Sequence, residues 1–303
     1  MSASYPQKLD TSIVEEIQKP LPPYRTIFNY GMSAIAFTLT AITLVPLIAI
    51  LVEILRQGLP NLSLEVFKEL PAPPPILPTD PNGFGNAIVG TLMMVGIASL
   101  LSIPVGVATG IFLSEFGQNS VIANAVRFIT TILTGIPSII AGVFAYGVLI
   151  LNQITQFSAV AGGFALSVIM LPIVALTTEQ ALKLVPQNQR LASAALGASR
   201  FQTTFKVAVA AAIPAMTTGI LLAVARAAGE TAPLIFTALF SDIWPEGLFE
   251  PSPALSTLIY KYAQSPDTTQ NQIAWTASVV LVGLVLCVSI LSRLATRPRS
   301  SSR

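Results

Sequence analysis

The sequence predicts an all-α, polytopic membrane protein with six transmembrane helices. Three observations carry that expectation. Of 303 residues, 53% are hydrophobic and only 10% charged, where a soluble domain carries about a quarter charged residues. Apolar runs reach about 20 residues, the length with which a helix crosses a hydrocarbon core about 30 Å thick. Short segments of alternating polarity, the mark of a membrane β-barrel, do not occur.

In order, the spans read as 29–55, 86–113, 126–151, 158–177, 212–240 and 273–292. Before them stands an arm, 1–28, in which Asp10, Glu15, Glu16 and several prolines precede any long apolar run. It does not read as a cleavable signal peptide, so the first span is expected to stay as an anchor. A basic tail, 293–303, follows the last span. An even number of spans puts both ends on one side, and the basic residues orient them. With the termini inside, the inner segments hold twelve Lys and Arg, the outer ones only Arg56, Lys68 and Lys261, and Arg226 falls within a span. Both termini are therefore expected in the cytoplasm.

Composition removes several function classes. A net charge of +2 with no basic stripe gives no footprint for nucleic acid. The single cysteine, Cys287, excludes an intrachain disulfide and reads as a packing residue. The absence of histidine removes the commonest metal ligand, the usual proton shuttle and any Ser-His-Asp triad, so no metal site and no catalytic residues are expected. No Gly-Lys dipeptide occurs, hence no Walker A loop and no ATPase of that kind in this chain.

Within the spans, Pro46, Pro104, Pro137, Pro172, Pro214 and Pro233 punctuate apolar sequence. Two readings fit: ordinary transmembrane prolines, or broken helices lining a path through a bundle. Gly106 and Gly110 form a GxxxG, expected to serve helix packing. Two outer segments are long. The first, 61–86, joins a short helical stretch to a proline-rich one. The second, 241–272, is acidic and better suited to a protein partner than to an anion.

The long inner segment, 178–211, is rich in helix formers and divided by Pro186 and Gly197. Two short helices with a glycine turn are expected, forming a docking element at the inner face. In the fifth span, AVARAAGETAPLIF (Ala223 to Phe236) places Arg226 and Glu230 four residues apart. Arg226 lies 12 residues beyond Pro214, about 18 Å of helix, and so near mid-membrane. A charge there costs about 2.5–3.5 kcal/mol on insertion scales and should face a partner or water. The pair is either a structural ion pair fixing helix rotation or part of a translocation path. In the second case Arg226 offers a fork of donors to an oxyanion, and Glu230 holds it while the path is empty. Gly229 and Pro233 let the helix bend there.

The segment RLASAALGASRFQTTFKVAVAAAIPAMTTGI (Arg190 to Ile220) resembles the coupling-loop motif of the permease subunits of bacterial ABC importers. Ala192 and Ser193 take the two alanine positions, Ala195, Leu196, Gly197 and Ala198 the core around the glycine, and Pro214 the distal proline. Leu191 stands where the family often has glutamate, and Ala210 where many members have an extra proline. GNAIVGT (Gly85 to Thr91), GIPSIIAG (Gly135 to Gly142), VPQNQR (Val185 to Arg190) and LLAVARAAGETAPLIFTAL (Leu221 to Leu239) are similar, more narrowly, to the phosphate-importer permease family PstA.

That resemblance implies a six-helix type I importer permease domain over 29–292, with 178–211 as its coupling loop, in a multi-pass protein of the bacterial inner membrane. It implies a non-enzymatic subunit that forms a phosphate path with a second, PstC-like permease. Two copies of an ATPase subunit would use the ATP, this chain binding no cofactor, and a phosphate-binding protein would stand on the outer side. Phosphate follows from the resemblance alone, since Arg226 suits sulfate or molybdate equally well. The alternatives are a permease for another oxyanion, such as sulfate, molybdate or phosphonate, or an ATP-independent anion channel or carrier.

Overall fold

A computed structural model describes residues 22–73, 82–117 and 120–295. The arm before residue 22, the proline-rich stretch 74–81 and the tail from 296 lie outside the described residues. Every regular element among the described residues is helical. They are α1 (Pro23–Gly58), α2 (Gly85–Ile111), α3 (Val121–Gly135), α4 (Ser138–Ala145), α5 (Ala159–Lys183), α6 (Gln187–Ala195), α7 (Arg200–Thr203), α8 (Val209–Gly229), α9 (Ala232–Ile235), α10 (Leu255–Ala263) and α11 (Thr268–Ala295). Wider π turns extend α2 through Phe112–Phe116 and α4 through Tyr146–Ile150, and join α7 to α8 through Thr204–Ala208.

Among the described residues five helices are long and apolar enough to cross a membrane, and the bent pair Val121–Gly135 and Ser138–Ile150 makes a sixth if it is counted as one span. Among the described residues, those up to Glu53 form one compact unit and those from Ile54 another. Within α1, Thr38 and Thr40 donate their hydroxyls to the carbonyls of Ala34 and Ala36, each at 2.8 Å, which leaves no side-chain donor open to lipid at those positions.

Two spans differ most from the sequence expectation. The third, expected as one run over 126–151, is two helices at 106°. The break falls at Ile136, whose backbone is extended (φ −73°, ψ 130°) because the ring of Pro137 disfavours helical geometry in the residue before it. The fifth, expected over 212–240, begins at Arg200 and ends at Gly229. Glu230 takes almost the same extended conformation (φ −72°, ψ 130°). Continuing the helix would drive the Pro233 ring into the carbonyl of Gly229. Instead the proline sits in the first turn of α9, where no N–H is needed. Of the six prolines in apolar runs, Pro46, Pro104, Pro172 and Pro214 lie inside unbroken helices.

In the second unit α2 and α5 run parallel in close contact. A methyl built on Gly106 would fall 2.8 Å from the Val174 side chain, and one on Gly110 2.5 Å from that of Thr178. The GxxxG face is thus the seat of α5. Lipid tails are as apolar as leucine, so such a contact is held by tight packing rather than by a gain in hydrophobic burial. α8 lies antiparallel on α5, Gly219 meeting Thr177. Met94, Leu166, Met170, Val174, Ala223, Ala227 and Leu234 close a core among α2, α5, α8 and α9.

At the end of the bundle where α2 begins, the fully buried Asn86 donates its amide to the carbonyls of Ser241 (3.3 Å) and Ile243 (3.2 Å). Thr91 accepts the N–H of Leu255 at 2.9 Å. Gly90 lies so close to the Pro253 carbonyl that no side chain fits there. The Gly85 to Thr91 stretch therefore fastens the long segment between α9 and α11 to the bundle.

Candidate functional site

The two broken spans meet. Gly142, one turn into α4, packs on Pro233 of α9, so each break supports the other. Where α3 turns into α4, a cavity of about 180 Å³ opens between Leu133, Ile136, Ile140, Phe144, Ile169 and Ile173. Arg226 is the one charged residue on its wall. Ile169 and Ile173 stand in the middle of α5, so Arg226 is level with the centre of a 25-residue membrane-length helix.

Arg226 sits in the last turn of α8, where the exposed carbonyls of a helix end favour a cation. Its Nε donates to Oε1 of Glu230 at 3.4 Å. Glu230 is not the next residue on a continuous helical face, as the spacing alone suggests, but the first residue beyond the helix. Its main-chain carbonyl accepts the Ser256 hydroxyl at 2.8 Å. The Arg226 side chain is 49% exposed and that of Glu230 15%, so the carboxylate is the more buried partner of the pair. Gly229 and Pro233 bracket the break. An added methyl on Gly229 meets nothing, so its role there is not close packing.

The connecting element lies at the opposite end, after α5, which runs on to Lys183 rather than ending at 177. Ala192, Ser193 and Ala195 lie on α6, and Leu196 caps it. Gly197 turns the chain in the left-handed region (φ +81°). Around it the N–H of Ala198 reaches the Ser193 carbonyl (3.2 Å) and that of Gly197 the Ala194 carbonyl (2.9 Å), closing the helix end. Ser199 and Gln202 then open α7 with a reciprocal capping box. A bond of 2.9 Å between the hydroxyls of Ser193 and Thr203 ties the two short helices together. Leu184, Leu191, Leu196 and Phe201 stand exposed on this rigid element, Leu196 at 89%. Pro214 lies apart from them, inside α8.

The sequence reading missed the charges that anchor this element. Glu115, in the π turn after α2, and Glu179, near the end of α5, are both buried. Arg190 pairs with Glu115 at 2.7 Å. Arg127 and Lys183 pair with Glu179 at 2.8 and 2.7 Å. The available signal was an acid just past each of two apolar runs, where an unpaired carboxylate would be costly.

A model of the family described as "Binding-protein-dependent transport system inner membrane component" matches residues 102–297. The chain is 40% identical over 272 residues to the phosphate transport system permease protein PstA of Haemophilus influenzae, covering 89% of this chain and 94% of the relative. It is 36% identical over 261 residues to the probable phosphate transport system permease protein PstA of Methanocaldococcus jannaschii, covering 86% and 90%. Among solved structures, a chain of a bacterial alginate ABC transporter, crystallised with its pentasaccharide-bound periplasmic protein, superposes with a TM-score of 0.62. The match covers 91% of this chain and 97% of that one at 14% identity, and speaks to the fold.

Proposed function

The chain belongs to the family of binding-protein-dependent transport system inner membrane components, and on that premise we propose that it is a permease subunit of an ATP-driven inorganic phosphate importer. The observation that carries the substrate is the likeness, along most of the chain, to relatives named for phosphate transport. In this reading the chain is a multi-pass inner-membrane protein with both termini and the α6–α7 element in the cytoplasm. A second, PstC-like permease completes the path. The assembly holds two ATPase subunits, one of which docks on the exposed leucines and Phe201 around Gly197. A phosphate-binding protein meets the side that carries the 241–272 segment.

Arg226 supplies the chemistry of the path. Its guanidinium stands beside an apolar cavity at mid-bundle, where a planar fork of donors attracts an oxyanion that low-dielectric walls otherwise exclude. Glu230 satisfies that charge while the path is empty. An arriving phosphate competes for the same donors, and the extended backbone at Glu230 lets the carboxylate give way without unwinding a helix.

The test is uptake of labelled phosphate into proteoliposomes holding this chain with its permease, ATPase and binding-protein partners. Uptake that needs ATP and resists excess sulfate is the expected result. Uptake without ATP would make the protein a channel or carrier, and ATP-driven uptake abolished by sulfate would overturn the substrate.

A further inference from the structure

Arg190 joins three pieces of the protein at one guanidinium. Its Nη2 donates to Oε1 of Glu115 at 2.7 Å and its Nε to Oε2 at 3.4 Å. The same group donates to the carbonyls of Leu182 (2.8 Å), in the last turn of α5, and of Val185 (2.5 Å), two residues beyond it. A second arginine reinforces the joint. Arg200, the first residue of α7, donates to the main-chain carbonyl of Glu115, and its guanidinium lies 5.4 Å over the ring of Phe116. The buried Glu115 carboxylate is thus gripped from α6 and its backbone from α7.

We infer that Arg190 is a positioning residue that carries displacement of the α6–α7 element into α2 and α5. The inference rests on the proposed reading that an ATPase docks on that element. Between α6 and α7 there is little slack, because the glycine closure, the capping box and the Ser193–Thr203 bond hold them as one piece. α2 and α5 cannot easily slide past each other either, since Gly106 and Gly110 hold Val174 and Thr178, and Gly162 holds Met94. Met94 belongs to the core that includes Ala223 and Ala227, the latter next to Arg226. A push on α6 therefore reaches the two long helices through the Arg190 fork instead of being absorbed in the turn Leu184 to Pro186. Lysine cannot replace it: a single ammonium has no rigid fork with which to hold a carboxylate and two carbonyls on different elements.

A residue that merely capped α5 would also be missed if removed, so the test reads coupling rather than yield. In proteoliposomes holding the complete transporter, phosphate moved per ATP hydrolysed is measured for the wild type, Arg190→Lys and Glu115→Gln. The ratio should fall by about tenfold in both variants, within the usual range for coupling between sites, while ATP is still hydrolysed. Variants that lower complex yield and both rates together, with the ratio unchanged, would overturn the inference and leave Arg190 a helix cap. Arg190→Lys decides the matter if Glu115→Gln fails to assemble, because it keeps a cation beside the carboxylate. Wild-type hydrolysis that ignores the phosphate-loaded binding protein would remove the docking reading itself, a result distinct from an unchanged ratio in the variants.

Discussion

Gly142 of α4 lies so close to Pro233 of α9 that a methyl group built on the glycine would fall 2.5 Å from the proline Cα. Backbone faces backbone, so neither side can swing away. Gly142→Val should destabilise the protein by about 1–3 kcal/mol, the usual range for overpacking, and lower its thermal midpoint in detergent. Gly147→Ala is the control, since nothing stands within 4 Å of the added atom. Equal midpoints for the two variants would show that the broken spans do not bear on each other.

Gly197 has a conformational rather than a packing reason to be glycine: φ is +81° and the space around it is open. Alanine there should cost about 1–2 kcal/mol, and asparagine, which tolerates that region, less. ATPase recruitment, followed by co-purification, should rank glycine above asparagine above alanine. Full recruitment by the alanine variant would mean that the turn does not shape the docking surface.

Leu196 is capped into its turn yet 89% exposed. Leu196→Ser should leave the thermal midpoint within experimental error and weaken binding of the ATPase subunit by more than about 1 kcal/mol, as expected of a buried anchor at an interface. Titration of the ATPase against permease in nanodiscs measures this directly. Unchanged affinity would move the docking surface elsewhere.

Asn86→Ala removes both amide bonds to the 241–243 backbone. Leaving those carbonyls without partners costs about 1–3 kcal/mol for each one kept from water. The expected sign is local: faster hydrogen exchange and protease cleavage between Ser241 and Ser252, with α5 and α8 unaffected. Protection equal to the wild type in that segment would mean that Asn86 does not hold it.

What the sequence could reveal depended on the range of the interactions involved. Apolar run length located the spans, because crossing lipid constrains each helix separately, and local propensity with Pro186 and Gly197 marked two short helices. The breaks at Ile136 and Glu230 were harder to see, since six prolines stood in apolar sequence and four lie inside unbroken helices. Only the two whose neighbourhoods pack on each other, Pro137 through Gly142 and Pro233, mark a break. The partners of the buried acids were out of reach for the same reason: Glu115 and Arg190 are 75 residues apart, and nothing local announces their meeting.

Arg226 carries the central claim, and uptake by its variants tests it most directly. In proteoliposomes holding the complete transporter, Arg226→Ala should assemble with all partners and move no labelled phosphate. Arg226→Lys, which keeps the charge but loses the fork, should retain a small part of the wild-type rate. Transport by Arg226→Ala at the normal rate would contradict the account and leave the Arg226–Glu230 contact a structural ion pair.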